Sequence, residues 1–64
     1  MRFDIEFLRA TGDCLRCTAA RSDNLEDAEQ QAWESALGAW SEGAARVQIR
    51  DLSNGQIVLN ETLV

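Results

Sequence analysis

The amino-acid sequence predicts an α+β fold of element order ββαββ, with a four-stranded mixed sheet and one helix packed across one face. Three features of the chain predict it. Residues 25–40 repeat apolar side chains at helical spacing. Residues 2–8 alternate between apolar and charged. Two strings that end in glycine, Ala10-Thr11-Gly12 and Ser53-Asn54-Gly55, interrupt the alternating stretches as hairpin turns. The 64 residues contain no proline and no low-complexity tract, so the whole chain, 1–64, reads as a single domain.

In the first strand Phe3, Ile5 and Phe7 point one way and Arg2, Asp4 and Glu6 the other. A three-residue turn at Ala10-Thr11-Gly12 sets Phe7 opposite Leu15, Ile5 opposite Cys17 and Phe3 opposite Ala19, all on the apolar face. The same register sets Glu6 opposite Arg16 on the other face, a favourable cross-strand charge pair.

On a wheel of about 100° per residue, Leu25, Ala28, Ala32, Trp33, Ala36, Leu37, Ala39 and Trp40 share one broad side, which is expected to lie on the sheet. The opposite side, with Asp27, Gln30, Gln31, Glu34 and Ser35, is expected in water. Asp23 and Glu26 form a capping-box pair at its start, and Gly43 supplies a left-handed stop.

After the helix, Val47 and Ile49 alternate with Arg46, Gln48 and Arg50. A turn at Ser53-Asn54-Gly55 with a bulge at the glycine sets Ile49 opposite Leu59 and Ala45 opposite Leu63, and leaves Glu61 opposite Val47. The first and last strands are the more apolar pair. Central strands are buried most, so these two are expected side by side and parallel, in the order 2-1-4-3.

Net charge is −5 with no histidine. An acidic chain lacks the basic face that phosphate contacts need, so nucleic acid is excluded as a partner, and anionic membrane surfaces with it. No apolar run is long enough to span a bilayer. The opening Met1-Arg2-Phe3-Asp4 has no signal-peptide core, which points to the cytoplasm and to reduced thiols.

The layout resembles the β-grasp architecture, in which a helix crosses a four-stranded sheet. The chain is also similar to a family of short bacterial domains of unknown function. The residues that carry this second resemblance are the aromatic-rich opening strand Phe3-Asp4-Ile5-Glu6-Phe7-Leu8, the alanines Ala28, Ala32 and Ala36, and the closing hairpin from Val47 to Leu59 with Asp51 and Gly55 in its turn. The histidine and terminal proline of that group are missing here. The resemblance implies no activity, because the family has none assigned.

Cys14-x-x-Cys17 has the spacing of a redox pair or half a zinc site. On a regular strand, residues three apart face opposite sides about 10 Å apart, beyond the ~7 Å that a disulfide spans. Cys17 therefore reads as a small core residue and Cys14 as an outer-face residue, with no cofactor and no metal. Glu29 lies on the apolar stripe and reads as a rim residue. Asp51 to Gly55 are explained by turn chemistry.

The remaining candidate is the outer sheet face: Leu8, Cys14, Arg16, Val58, Asn60, Thr62 and Val64, a mixed surface with an apolar share. The expectation is a small, non-enzymatic interaction module that uses this face or an edge strand, toward a protein partner or a second copy. The alternative is a thiol- or metal-handling protein centred on Cys14 and Cys17.

Overall fold

The computed structural model describes residues 2–63. The elements follow the expected order: β1 (Phe3–Leu8), β2 (Cys14–Ala19), α1 (Leu25–Ser41), β3 (Arg46–Asp51) and β4 (Gln56–Thr62). One helix lies on a four-stranded sheet, as anticipated, but the sheet is wholly antiparallel and its order is β2-β1-β3-β4 rather than 2-1-4-3. β2 and β3 both run antiparallel to β1, so they are parallel to each other with β1 between them. The path β2-α1-β3 is therefore a split β-α-β unit, and β4 is added at the edge by a hairpin.

The correction has a clear physical reason. Only one face of this sheet is covered by a helix, so a central strand needs apolar residues at alternate positions only. β1 supplies Phe3, Ile5 and Phe7, and β3 supplies Val47 and Ile49. All five are buried, and Ile5 lies opposite Ile49. β4 carries Ile57, Val58 and Leu59 in succession, an apolar total that alternation does not need, and it is exposed along nearly its whole length.

Both hairpins carry bulges. Around Gly12 the turn is as expected, with Arg9 N–H donating to the Asp13 carbonyl at 2.8 Å and Gly12 at φ +94°. Leu8 then lies opposite Cys14, but Phe7 lies opposite Arg16, so Leu15 is an extra residue. From there the register is shifted by one: Glu6 faces Cys17, Ile5 faces Thr18 and Asp4 faces Ala19. In the second hairpin Ile49 lies opposite Leu59 and Val47 opposite Glu61, as expected, whereas nearer the turn Arg50 faces Ile57, leaving Val58 as the extra residue.

The helix starts on Asn24, whose side chain accepts from the backbone N–H of Glu26 and Asp27. Asp23 instead accepts from the Arg2 backbone N–H, so the expected capping box is not formed. At the other end Gly43, with φ +113°, donates to the Trp40 carbonyl, and Ala44 N–H reaches back to the Ala39 carbonyl at 3.0 Å, the paired bonds of a Schellman stop.

The roll of the helix differs from the wheel expectation. Ala28, Ala32 and Ala39 are fully buried, and Gln31, expected in water, is buried beside them. Gln31 accepts from Arg21 N–H at 2.8 Å and donates to the Ala19 carbonyl at 3.4 Å, tying the helix to the end of β2. Trp33, Leu37 and Trp40, expected on the core side, are exposed.

Candidate functional site

Two constellations stand out, one on each side of the sheet. The first is on the outer face. The bulge at Leu15 undoes the alternation argument: Cys14 pairs with Leu8 and Cys17 with Glu6, so both thiols stand on the face of Asp4, Glu6 and Leu8. Cys17 is an exposed free thiol on that face, not a core residue. Ligand atoms of Asp4, Glu6 and Cys17 lie within 4.8 Å of one another. Partial burial pushes the Cys17 thiol up from its ordinary value, and the charges of Asp4 and Glu6 push it further the same way. A raised thiol is a poor nucleophile at neutral pH, but a cation placed there would stabilise both carboxylates and the thiolate.

That cation already has a competitor. Glu6 accepts from Arg50 Nε at 3.2 Å and from Gln48 Nε2, and Arg46 Nε donates to Asn60 at 3.2 Å. On the outer face, hydrogen bonds thus tie Glu6 of β1 to Gln48 and Arg50 of β3, and Arg46 of β3 to Asn60 of β4. Among the residues expected to form an interaction surface, Leu8, Cys14, Asn60 and Thr62 do lie on this face, paired with Arg46, Leu8, Gln48 and Arg46 respectively. Val58 is the bulged residue of β4. Arg16 does not belong there: it shares a strand position with Phe7, on the helix side, and pairs with Glu42 at the helix end. The bulge is the cause, since it turns Arg16 to the opposite face. Val64 lies outside the described residues.

The second constellation is the flank of α1 nearest β4. Glu26, Glu29, Trp33, Leu37 and Trp40 follow at intervals of three and four, so they form one stripe along the helix. Trp33 is 46% exposed, Trp40 52% and Leu37 76%. Leu37 and Trp40, with Ala36 and Leu63, line a shallow groove of about 190 Å³. Leu63 is set there by its backbone N–H, which donates to the Ala45 carbonyl at 2.9 Å. Glu61 opposes Val47 on the helix side of β4, two residues before Leu63. Glu29 is half-buried on the stripe. Carboxylates thus continue the stripe toward the helix start, and another, Glu61, lies on the helix side of β4 near the end of the groove.

A larger hollow, about 300 Å³, lies between Arg21, Asp27, Gln31 and Glu34. Most of its polar groups are partnered with one another: Arg21 with Glu34 at 3.4 Å, Asp27 with Ser22 at 3.1 Å and Gln31 with the Arg21 backbone. It offers a ligand little that is not already used.

The exposure of the tryptophan stripe was not anticipated because the wheel set the small edge and the bulky edge together on the core side. The signal that distinguishes the two edges was present: one edge is all alanine, the other all bulky. No protein-family model matches the chain, and no curated protein and no solved structure matches it either. No helix among the described residues is long and apolar enough to cross a membrane.

Proposed function

We propose that this chain is a non-enzymatic protein-interaction module whose binding surface is the Trp33-Leu37-Trp40 flank of α1 with the adjoining groove at Leu63. One observation carries the reading: Trp33, Leu37 and Trp40 stand 46%, 76% and 52% exposed along one stripe of a helix whose Ala28, Ala32 and Ala39 are buried against the sheet. Tryptophan buries more area than most side chains and is enriched among residues that dominate interfaces. A contiguous patch of this kind on a small domain marks a contact surface.

The two surfaces suggested by the sequence are less suited. The outer face is occupied by its own polar network, and edge strands β2 and β4 each carry a bulge, a device that blunts strand-to-strand addition. The test compares retained partners in affinity capture by the wild type, Leu37→Asp and the outer-face variant Asn60→Ala. Partners lost with Leu37→Asp and kept with Asn60→Ala support the flank. The reverse pattern would move the surface back to the outer face.

A second reading is favoured by the bulge, which brings Cys14 and Cys17 to one face with Asp4 and Glu6: capture of a thiophilic divalent cation. Thiolate and carboxylate oxygen are both zinc ligands, and Asp4, Glu6 and Cys17 bring three such donors within 4.8 Å of one another. Cadmium titration would show a thiolate charge-transfer band that vanishes in Cys17→Ser. Absence of the band in the reduced wild type disposes of this reading.

A further inference from the structure

Resting on the flank reading, we infer that the occupant of the groove is a basic segment of another protein with apolar anchors at one end, and not a second copy of this chain. The helix supplies the reason. Residues 25–41 contain no lysine or arginine, while Glu26 and Glu29 continue the Trp33-Leu37-Trp40 stripe and Glu61 lies on the helix side of β4, two residues before the groove residue Leu63.

Two copies packed flank to flank cannot satisfy these carboxylates. In a symmetric dimer the same patch meets itself. Parallel helices would set Glu26 and Glu29 against the same residues of the second copy. Antiparallel helices centred on Trp33 would lay Glu26 over the second copy's Trp40 and Glu29 over its Leu37, without a cation; only a shorter contact centred on Leu37 would leave both glutamates in water. Any self-contact that uses the whole stripe thus leaves carboxylates against like charge or apolar surface, a cost that weighs against a second copy as the occupant.

A basic partner meets both halves of the stripe. Its apolar anchors fill the groove beside Leu37, and its cations reach Glu29 and Glu26. Leu37 and Glu29 are eight positions apart in the sequence, about 12 Å along the helix axis at 1.5 Å per residue. A helical partner lying alongside therefore carries its basic residues about two turns from its anchors. An extended partner carries them about four residues away. The mode is an amphipathic segment laid against an apolar groove, with the charges fixing its direction.

The experiment uses three synthetic helical peptides of one anchor pattern, with Lys, Gln or Glu at the positions two turns from the leucine anchors. Binding is read from the tryptophan emission of the full chain and from sedimentation equilibrium in reductant. The Lys peptide should bind about tenfold more tightly than the Gln peptide, and the Glu peptide more weakly than either. The advantage of Lys should shrink in high salt and disappear in the triple variant Glu26→Gln/Glu29→Gln/Glu61→Gln, which keeps its affinity for the Gln peptide. Leu37→Asp should lose all three, and its circular dichroism should stay that of the wild type.

If the three peptides bind equally, and Leu37→Asp still abolishes binding, the basic partner is wrong and the flank reading stands. If the wild type is a dimer that Leu37→Asp dissociates, the occupant is a second copy and the inference is overturned. If Leu37→Asp changes nothing, the flank reading itself falls.

Discussion

The roll of the helix is open to a direct test, because two substitutions should have opposite effects depending on which edge faces the sheet. Leu37 is 76% exposed, so folding removes only about a quarter of its surface from water. Full burial of a leucine is worth about 1.5–3 kcal/mol, which leaves a loss of about 0.5 kcal/mol for Leu37→Ala. Ala32 is 0% exposed against the sheet. Ala32→Leu forces three extra carbons into that contact and should cost about 1–3 kcal/mol. A domain of this size holds only ~3–10 kcal/mol in total, so the second change is large and the first is marginal.

If the bulky edge faced the sheet, the order would reverse: Leu37→Ala would open a cavity at about 2–5 kcal/mol and Ala32→Leu would be nearly neutral. Urea unfolding followed by far-ultraviolet circular dichroism, extrapolated linearly to water, separates the two cases. Tryptophan emission is the wrong probe here, because Leu37 lies beside Trp33 and Trp40 on the stripe. A loss above ~2 kcal/mol for Leu37→Ala, with less than ~0.5 kcal/mol for Ala32→Leu, would refute the exposed flank and every functional statement built on it.

Three further outcomes are expected. The buried Asp51 carboxylate accepts from Arg2 Nη2 at 3.0 Å and from Ser53 Oγ at 2.6 Å and Ser53 N–H at 2.9 Å, which lower its pKa to about 2. A depressed folded value means stability that is present above the ordinary carboxylate range and lost as pH falls through about 2. The gap in urea midpoint between wild type and Asp51→Asn should therefore hold steady down to about pH 5 and close as pH falls toward about 2; a gap that does not change with pH would contradict the assignment. In a Cys14→Ser background, Cys17 should react with a disulfide reagent more slowly than free cysteine, and Asp4→Asn should speed it, since burial and the Asp4 and Glu6 charges hold the thiol up. Gly43→Ala should cost ~1–2 kcal/mol by thermal melting through its φ of +113° alone, since nothing lies within 4 Å of the added methyl.

Much of the architecture was legible in the sequence, because local patterns decide it. The alternation of Phe3, Ile5 and Phe7, the Gly12 turn and the Gly43 stop all hold in the structure. The facing of Ile49 on Leu59 held too. The register of β2 was not legible. Before the bulge is counted, Leu15, Cys17 and Ala19 make an inward set no less apolar than Leu15, Thr18 and Ala20. On an edge strand that the helix does not cover, burial hardly discriminates between them. What fixes the choice is distant in sequence: Ala20 is buried with its N–H on the Phe3 carbonyl at 2.9 Å, and Gln31 clamps the neighbouring backbone. The two cysteines changed their meaning with that single extra residue.

The placement of β4 and the roll of the helix share one origin, which is volume. The inward residues of β1 and β3 are large: Phe3, Ile5, Phe7, Val47 and Ile49 fill the space above the two central strands. A helix can lie over them only if it presents small side chains, and Ala28, Ala32 and Ala39 do so. Once the backbone is that close, no room remains beneath the helix for an indole. Rolling α1 to bury Trp33 and Trp40 would lift it from the sheet and strip Gln31 of both its backbone partners, leaving Arg21 N–H and the Ala19 carbonyl to find others. The exposure of the tryptophans is therefore a consequence of how the core is filled. That apolar ridge, held in water by the packing of the rest of the domain, is the feature on which the proposed interaction surface rests.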